Sequence, residues 1–162
     1  MNVILIDDEA LCLEMLCDVC RSVGFQCNGY LSPVEAVAEF SRQIDYFDVL
    51  ITDIRMPEMD GVEVMKALRG LRPDLPMIFV TAHSDYDTAV EAIKEQACAY
   101  LAKPVDIREM IAILQSLEPK TQEFRRHREN QAQIRETLEL LQKMSAEITE
   151  RLAVRKSNGK RK

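Results

Sequence analysis

Side chains that could bind a metal ion and a phosphoryl group follow four short apolar runs in this sequence. Asp7 and Asp8 follow the run 3–6, and Asp53 follows the run 49–52. Thr81 follows the run 77–80, and Lys103 with Pro104 follows the run 100–102. Carboxylate oxygens are preferred ligands of Mg²⁺. A lysine ammonium can hold a phosphoryl oxygen as a point charge. The four run ends therefore predict a site for a divalent cation and a phosphoryl group.

The elements that position these side chains alternate between strand and helix signals. Helices are predicted over 9–23, from Ser32-Pro33, from Asp60-Gly61, from a cap within 84–87 and from Asp106. The apolar runs are nearly continuous, which is typical of strands covered on both faces. A second strand, with the weakest signal, is predicted around 25–30. The alternation predicts an α/β domain with a parallel sheet of five strands and five flanking helices.

A parallel sheet would bring these distant side chains together, because the carboxyl ends of its strands share one edge. A carboxylate there could attack phosphorus and hold the group as an acyl phosphate, while a hydroxyl such as that of Thr81 donates to a phosphoryl oxygen. Each residue alone also has an ordinary explanation: Asp8 as a helix N-cap, Thr81 as a strand terminus, Lys103 as part of a loop. Because the four strand ends supply complementary chemistry, we favour one common site for a cation and a phosphoryl group over these separate structural roles.

Charge divides the chain into two parts with different tasks. Residues 1–119 contain 9 Lys/Arg and 21 Asp/Glu, whereas residues 120–162 contain 12 Lys/Arg and 6 Asp/Glu.

No apolar run reaches the length of a bilayer span, and the start has no signal-peptide pattern. We expect a soluble, cytoplasmic protein without membrane insertion.

Five cysteines occur in the sequence: Cys12, Cys17, Cys20, Cys27 and Cys98. Free cysteines are commonly buried as small hydrophobes in reducing compartments. The Cys17-x-x-Cys20 pair lies inside a predicted helix and has no second pair to complete a metal site. The sequence therefore predicts reduced, packed thiols rather than a metal or redox site.

The chain beyond Pro119 has a different pattern. Glycine is absent until Gly159, and apolar residues follow the 4-3 spacing of a coiled-coil seam, with a serine at one position: Ile134, Leu138, Leu141, Ser145, Ile148 and Leu152. A single helix with so narrow an apolar stripe is marginal alone, so pairing or docking is expected. We predict a domain over 1–118, a helical extension, with coiled-coil character, over 119–156, and a disordered basic tail over 157–162.

Four motifs resemble those of bacterial response-regulator receiver domains. The stretches are Leu5-Ile6-Asp7-Asp8-Glu9, Asp53 to Gly61, Val80-Thr81-Ala82-His83 and Tyr100-Leu101-Ala102-Lys103-Pro104. The resemblance covers residues 1–118, with the motifs in the family's order and spacing. It implies a flavodoxin-like fold with strand order 2-1-3-4-5.

The resemblance also implies a role for each carboxylate. Asp53 would be the phosphoacceptor, supplied by a sensor histidine kinase or a phosphotransfer protein. Asp8 would bind Mg²⁺ directly and Asp7 through water, while Asp53 and the backbone carbonyl of Arg55 complete the protein ligands.

The remaining motif residues would respond to phosphorylation. Thr81 would move toward the phosphoryl group, and Tyr100 would turn inward into the space released. Lys103 would pair with the phosphoryl oxygens, and Pro104 would follow a cis peptide bond, which proline tolerates far better than other residues. Phosphorylation would then change the partner-binding face formed by the fourth helix, fifth strand and fifth helix.

The resemblance identifies a signalling protein whose only expected reactions are its own phosphorylation and autodephosphorylation. Its output stays open. The extension could mediate homodimerisation or partner binding, or it could be the linker of a longer regulator with transcriptional or enzymatic output. DNA binding through the basic extension is a third possibility, although six glutamates interrupt the positive charge.

Overall fold

Five parallel strands form one sheet in the order β2-β1-β3-β4-β5. Their bounds are Asn2–Ile6 (β1), Gln26–Tyr30 (β2), Val49–Asp53 (β3), Met77–Thr81 (β4) and Ala99–Ala102 (β5). The computed structural model describes residues 1–82 and 98–159, with side chains up to residue 148. The predicted fold class and strand order are confirmed.

Helices connect the strands and cover both faces of the sheet. Their bounds are Ala10–Ser22 (α1), Pro33–Arg42 (α2), Gly61–Leu71 (α3) and Ile107–Gly159, which we call the C-terminal helix. The helix predicted to begin within 84–87 lies outside the described residues.

Alternation along the central strands separates two cores. In β1, Ile4 and Ile6 pack with residues of α2 and α3 such as Phe40. Val3 and Leu5 face the opposite way and pack with residues of α1 and of the C-terminal helix, among them Leu16 and Leu114. Because successive strand residues point to opposite faces, the continuous apolar runs supply both cores at once.

Side-chain caps fix the starts of two helices that lead from the sheet. Ser32 Oγ accepts a hydrogen bond from the Glu35 N–H at 3.4 Å. At α3, Asp60 and Glu63 each accept a hydrogen bond from the other's backbone N–H, at 2.8 and 2.9 Å. Both helices therefore begin where the sequence predicted, since each cap satisfies amide groups that have no partner inside the helix.

The weak sequence signal of β2 follows from its position. This strand lies at the edge of the sheet, and of its five residues only Cys27 is buried. Cys27 packs on one face of the sheet and Tyr30 only partly on the other, so the sequence of β2 lacks the continuous apolar run of β1, β3 and β4.

The chain consists of two compact units, Met1–Arg125 and Arg126–Lys162. The boundary predicted at 118/119 falls inside the C-terminal helix, which continues through Pro119. The helix ends at Gly159, three residues into the segment predicted to be disordered. In the second unit, Ile134, Leu138, Leu141 and Ile148 are each more than half exposed. None of the described helices is both long and apolar enough to cross a membrane.

Candidate functional site

Three carboxylates meet at the carboxyl edge of the sheet. Asp7 and Asp8 follow β1, and Asp53 is the last residue of the neighbouring strand β3. One carboxylate oxygen from each lies within 4.8 Å of the others. Asp7 and Asp53 are buried, at 1% and 7% exposure, whereas Asp8 is exposed. The cluster thus opens to solvent through Asp8 and is closed beneath it.

Backbone amides orient the two buried carboxylates. The Glu9 N–H donates to Asp7 Oδ1 at 2.9 Å, and the Arg55 N–H donates to Asp53 Oδ1 at 3.2 Å. No side chain caps α1, whose N-cap position is Glu9. Asp8 is therefore not a capping residue, and its carboxylate remains available to a ligand.

Lys103 brings a cationic side chain into contact with the cluster. Its Nζ donates to Asp53 Oδ2 at 2.6 Å and lies 3.0 Å from Asp7 Oδ2. Burial by itself would lower the pKa of this ammonium, but the hydrogen bond and the charges of Asp53 and Asp7 hold its pKa above the ordinary lysine value. Lys103 is therefore charged throughout the neutral range, directly against the predicted phosphoacceptor.

Close backbone packing holds the loop that carries Asp53. The Gly61 N–H donates to the Ile54 carbonyl at 2.9 Å. A Cβ at Gly61 would overlap the carbonyl oxygen of Asp53. Glycine is needed here because the start of α3 lies directly against the end of β3. Sequence analysis identified Gly61 only as part of a helix start and missed this contact.

The donor set fits a divalent cation. Three carboxylates face one ammonium, so the cluster carries excess negative charge. Asp7 Oδ2 is buried and lies 3.0 Å from Lys103 Nζ, which also contacts Asp53. Carboxylate oxygens are preferred ligands of Mg²⁺, so the arrangement suits that ion better than an uncharged ligand.

The other predicted residues lie at the neighbouring strand ends. Thr81 pairs with Ala102 in the sheet register, and its hydroxyl donates to the Ala82 carbonyl at 3.0 Å. The Lys103–Pro104 peptide bond is cis. Arg55 is exposed, in the loop directly after Asp53.

Tyr100 stacks on Phe79 of β4, with ring centroids 5.8 Å apart. Its hydroxyl oxygen is buried and has no hydrogen-bond partner in the part of the chain that the structure describes. Burial raises the pKa of this phenol above its ordinary value. The ring is thus half-buried against β4.

Sequence analysis also missed Cys12, which lies on α1 beside the cluster. Burial raises the pKa of the Cys12 thiol to about 12, and a hydrogen bond to Asp7 adds to the effect. Helical spacing placed its neighbours on the buried face, but nothing in the sequence marked Cys12 as a neighbour of Asp7.

Comparison with known proteins identifies the family of this chain. The family model of the response regulator receiver domain matches residues 3–115. The chain belongs to this family. It is thus a receiver domain of two-component response regulators, which is a signalling module, and the resemblance seen in the sequence is confirmed.

Relatives of this receiver are longer proteins. The C4-dicarboxylate transport transcriptional regulatory protein DctD of Rhizobium meliloti is 40% identical over 103 residues, 64% of this chain and 22% of that protein. The DNA-binding transcriptional regulator NtrC of Salmonella typhimurium is 37% identical over 110 residues, 68% of this chain and 23% of that protein. The receiver therefore spans less than a quarter of each.

A solved structure agrees over nearly its whole length. The response regulator receiver domain protein from Clostridium thermocellum superposes with a TM-score of 0.69 at 31% identity, covering 74% of this chain and 95% of that one. Similarity in fold and in sequence therefore coincide over the receiver.

Proposed function

We propose that this receiver accepts a phosphoryl group on Asp53 from a sensor histidine kinase or a phosphotransfer protein. The observation that carries the proposal is the contact of Lys103 Nζ with Asp53 Oδ2 at 2.6 Å, beside Asp7 and Asp8. A nucleophilic carboxylate, a cation that faces it and an acidic pair for a metal are the parts that acyl phosphate formation needs.

In the proposed reaction a carboxylate oxygen of Asp53 attacks phosphorus. The new bond makes an acyl phosphate, and the bond from phosphorus to the donor breaks, with its electron pair leaving on the donor. Lys103 exchanges its contact with the Asp53 carboxylate for one with a phosphoryl oxygen. The Arg55 N–H, 3.2 Å from Asp53 Oδ1, holds the second carboxylate oxygen in place.

Mg²⁺ belongs to this proposal. The residues to hold it are Asp8 and Asp53, the Arg55 carbonyl, and Asp7 through water. When bound, the ion supplies positive charge that offsets repulsion between the carboxylates and the incoming phosphoryl group. The excess of negative charge around Lys103 supports this assignment.

Thr81 and Tyr100 are the proposed switch. The Thr81 hydroxyl would leave the Ala82 carbonyl and donate to the phosphoryl group, because a charged acceptor forms the stronger hydrogen bond. Tyr100 would turn inward once Thr81 has moved. The result is a shift between two arrangements of the partner-binding face.

Labelling with a small acyl phosphate donor tests the phosphoacceptor. With Mg²⁺ present, the wild-type chain should gain one phosphoryl group and the Asp53→Asn variant none, as measured by intact mass. Asp18→Asn is the matched control, since Asp18 is exposed and pairs with Arg21 on α1. Undiminished labelling of Asp53→Asn would refute the assignment.

The C-terminal helix supports a second part of the proposal, a homodimer. Ile134, Leu138, Leu141 and Ile148, here called the apolar stripe, are between 54% and 60% exposed. Their 4-3 spacing is that of a two-helix seam. A second copy would offer the same stripe and bury both.

Sedimentation tests the dimer with a matched pair of variants. Leu140 and Leu141 are both 55% exposed, but only Leu141 belongs to the apolar stripe. Leu141→Lys should shift the chain toward monomer, whereas Leu140→Lys should leave the association unchanged. Equal behaviour of the two variants would exclude a stripe-mediated dimer.

The length of the relatives supports an alternative role for the same helix. Because the receiver spans less than a quarter of DctD and NtrC, the helix could connect it to an output domain. A cytoplasmic location is part of either version, and five free cysteines suit a reducing compartment.

A further inference from the structure

Three cysteines meet between α1 and β2, on the face of the sheet covered by α1. Cys17 and Cys20 lie about one turn apart on α1, and Cys27 lies on β2. All three are buried, at 3%, 0% and 7% exposure. The Cys27 thiol donates to Cys17 Sγ with the two sulfur atoms 3.0 Å apart. None of the three takes part in the carboxylate cluster.

Contacts of Arg21 and the open space at Gly29 position this thiol pair. Arg21 on α1 donates from Nη2 to the Cys27 carbonyl at 3.1 Å, which ties the helix to the strand beside the pair. Gly29 gives Cys17 its room, because a Cβ at Gly29 would come within 2.9 Å of Cys17 Sγ. The two sulfur atoms are thus placed by contacts on either side of them.

The hydrogen bond divides the pair into a better and a poorer nucleophile. The donation from Cys27 lowers the pKa of the Cys17 thiol, and nearby Arg21 lowers it further, against the opposing effect of burial. Donation to Cys17 and to Cys20, with burial, raises the pKa of Cys27. The same donation lowers the pKa of Cys20, so geometry selects between the two: the Cys17 and Cys27 sulfur atoms are 3.0 Å apart. Since the thiolate is the reactive form, Cys17 is the sulfur that would attack an oxidant.

We propose that Cys17 and Cys27 are a reversible redox pair that a peroxide converts to a disulfide. The Cys17 sulfur attacks one oxygen of hydrogen peroxide, the O–O bond breaks, and water leaves as Cys17 becomes a sulfenic acid. The Cys27 sulfur then attacks the Cys17 sulfur, the S–O bond breaks, and a second water leaves. Two thiols and one peroxide thus give one disulfide and two waters.

The position of the pair suits a slow, selective reaction. β2 is an edge strand, so local opening of α1 over this edge admits a molecule as small as peroxide. In a reducing compartment the glutathione pool keeps the pair as thiols, and the disulfide forms only under oxidative stress.

Mass spectrometry of the full chain tests the pair. Cys98 is exposed, so Cys98→Ser removes the thiol best placed for cross-links between chains. After treatment with hydrogen peroxide, denaturation, alkylation and digestion without reductant, we expect one cross-linked peptide that joins Cys17 to Cys27. Cys12 and Cys20 should be alkylated, and prior reduction should leave all four remaining thiols alkylated.

Single variants in the same background identify the partners. Cys20→Ala should retain the cross-link, whereas Cys17→Ala and Cys27→Ala should each abolish it. Peptide mapping of the Cys98→Ser chain, which keeps Cys17 and Cys27, shows whether the disulfide forms even if one of the core variants folds poorly. Full alkylation of Cys17 and Cys27 after oxidation, or a disulfide that joins Cys20 instead, would overturn the proposal.

Discussion

The strand β3 has a buried carboxylate at each end, and the two ends are built differently. Asp48 directly precedes the strand and is 3% exposed, while Asp53 ends it and is 7% exposed. Arg125 contacts both oxygens of Asp48, at 2.6 and 3.2 Å. The Asn2 N–H adds a further hydrogen bond at 2.7 Å. At this end, charge and hydrogen bonding are both satisfied.

At the Asp53 end, three carboxylates share one lysine. Lys103 contacts Asp53 and Asp7, while Asp8 is left exposed beside them. A fold stabilised by its own contacts would not gather such an excess of like charge, because like charges repel one another. The comparison teaches that a buried carboxylate marks structure where it is fully paired and marks a ligand site where it is not.

The largest expected effect comes from removal of the ion pair between Arg125 and Asp48. Arg125→Ala leaves the buried Asp48 carboxylate without its cation and should lower the free energy of unfolding by about 3 kcal/mol. The value is at the lower end of the range for buried pairs because the Arg125 side chain is 38% exposed. Urea unfolding measures it.

The neighbouring Arg126→Ala is the control for this prediction. Arg126 is exposed, and loss of a surface side chain changes stability by roughly 0.5 kcal/mol or less. If Arg125→Ala behaved like Arg126→Ala, the Asp48 end would not be a structural ion pair.

The second effect tests what holds the crowded end in place. Gly61→Ala forces a Cβ against the Asp53 carbonyl and should lower the free energy of unfolding by about 2 kcal/mol. Gly70→Ala, in the same helix, meets no atom within 4 Å and should instead stabilise by roughly 0.5–1 kcal/mol. Thermal unfolding should show a loss of stability for Gly61→Ala and a gain for Gly70→Ala. A change in the same direction for both variants would argue against the close backbone contact at Gly61.

The third effect concerns the cation. Mg²⁺ at ten times its dissociation constant should stabilise the wild-type chain by about 1.4 kcal/mol, because it relieves the repulsion around Asp53. Asp8→Asn should lose most of this gain. Thermal unfolding in Mg²⁺ and in a chelator provides the comparison, and an equal gain in both proteins would remove Asp8 from the metal site.

The smallest effect has the opposite sign from the first. Without Mg²⁺, Asp8→Asn should stabilise the chain by roughly 0.5 kcal/mol, because it removes one of three like charges while Asp8 itself is exposed. Denaturant unfolding in a chelator measures this gain. A clear loss of stability would mean that Asp8 is a structural residue, and the contrast between the two ends of β3 would fail.

Sequence analysis predicted the Asp53 end much better than the Asp48 end. Asp7, Asp53 and Lys103 each follow an apolar run, so the strand signal and the functional residue lie next to each other in the chain. Asp48 and Arg125 are separated by 77 positions. Arginine on a helix usually faces solvent, so no local pattern distinguished Arg125 from the other basic residues around it.

The contact between Cys17 and Cys27 and the continuation of the helix through Pro119 were not predicted, for a related reason. Cys17-x-x-Cys20 drew attention to two cysteines of one helix, but the sulfur in contact with Cys17 belongs to Cys27 on the adjacent strand. Pro119 and the change of charge suggested a boundary, yet the helix continues through the proline. Both outcomes depend on packing that neighbouring residues do not encode.

The sequence by itself determined the strands, their polar ends and hence the membership in the receiver family, because hydrophobic periodicity and short motifs are local properties. The tertiary structure alone decided which charges are satisfied: Asp48 by Arg125, and Asp53 only in part by Lys103. The physical reason is that charge compensation and burial depend on distance in space. Residues that are far apart in the chain come close in space only when the sheet and its helices pack.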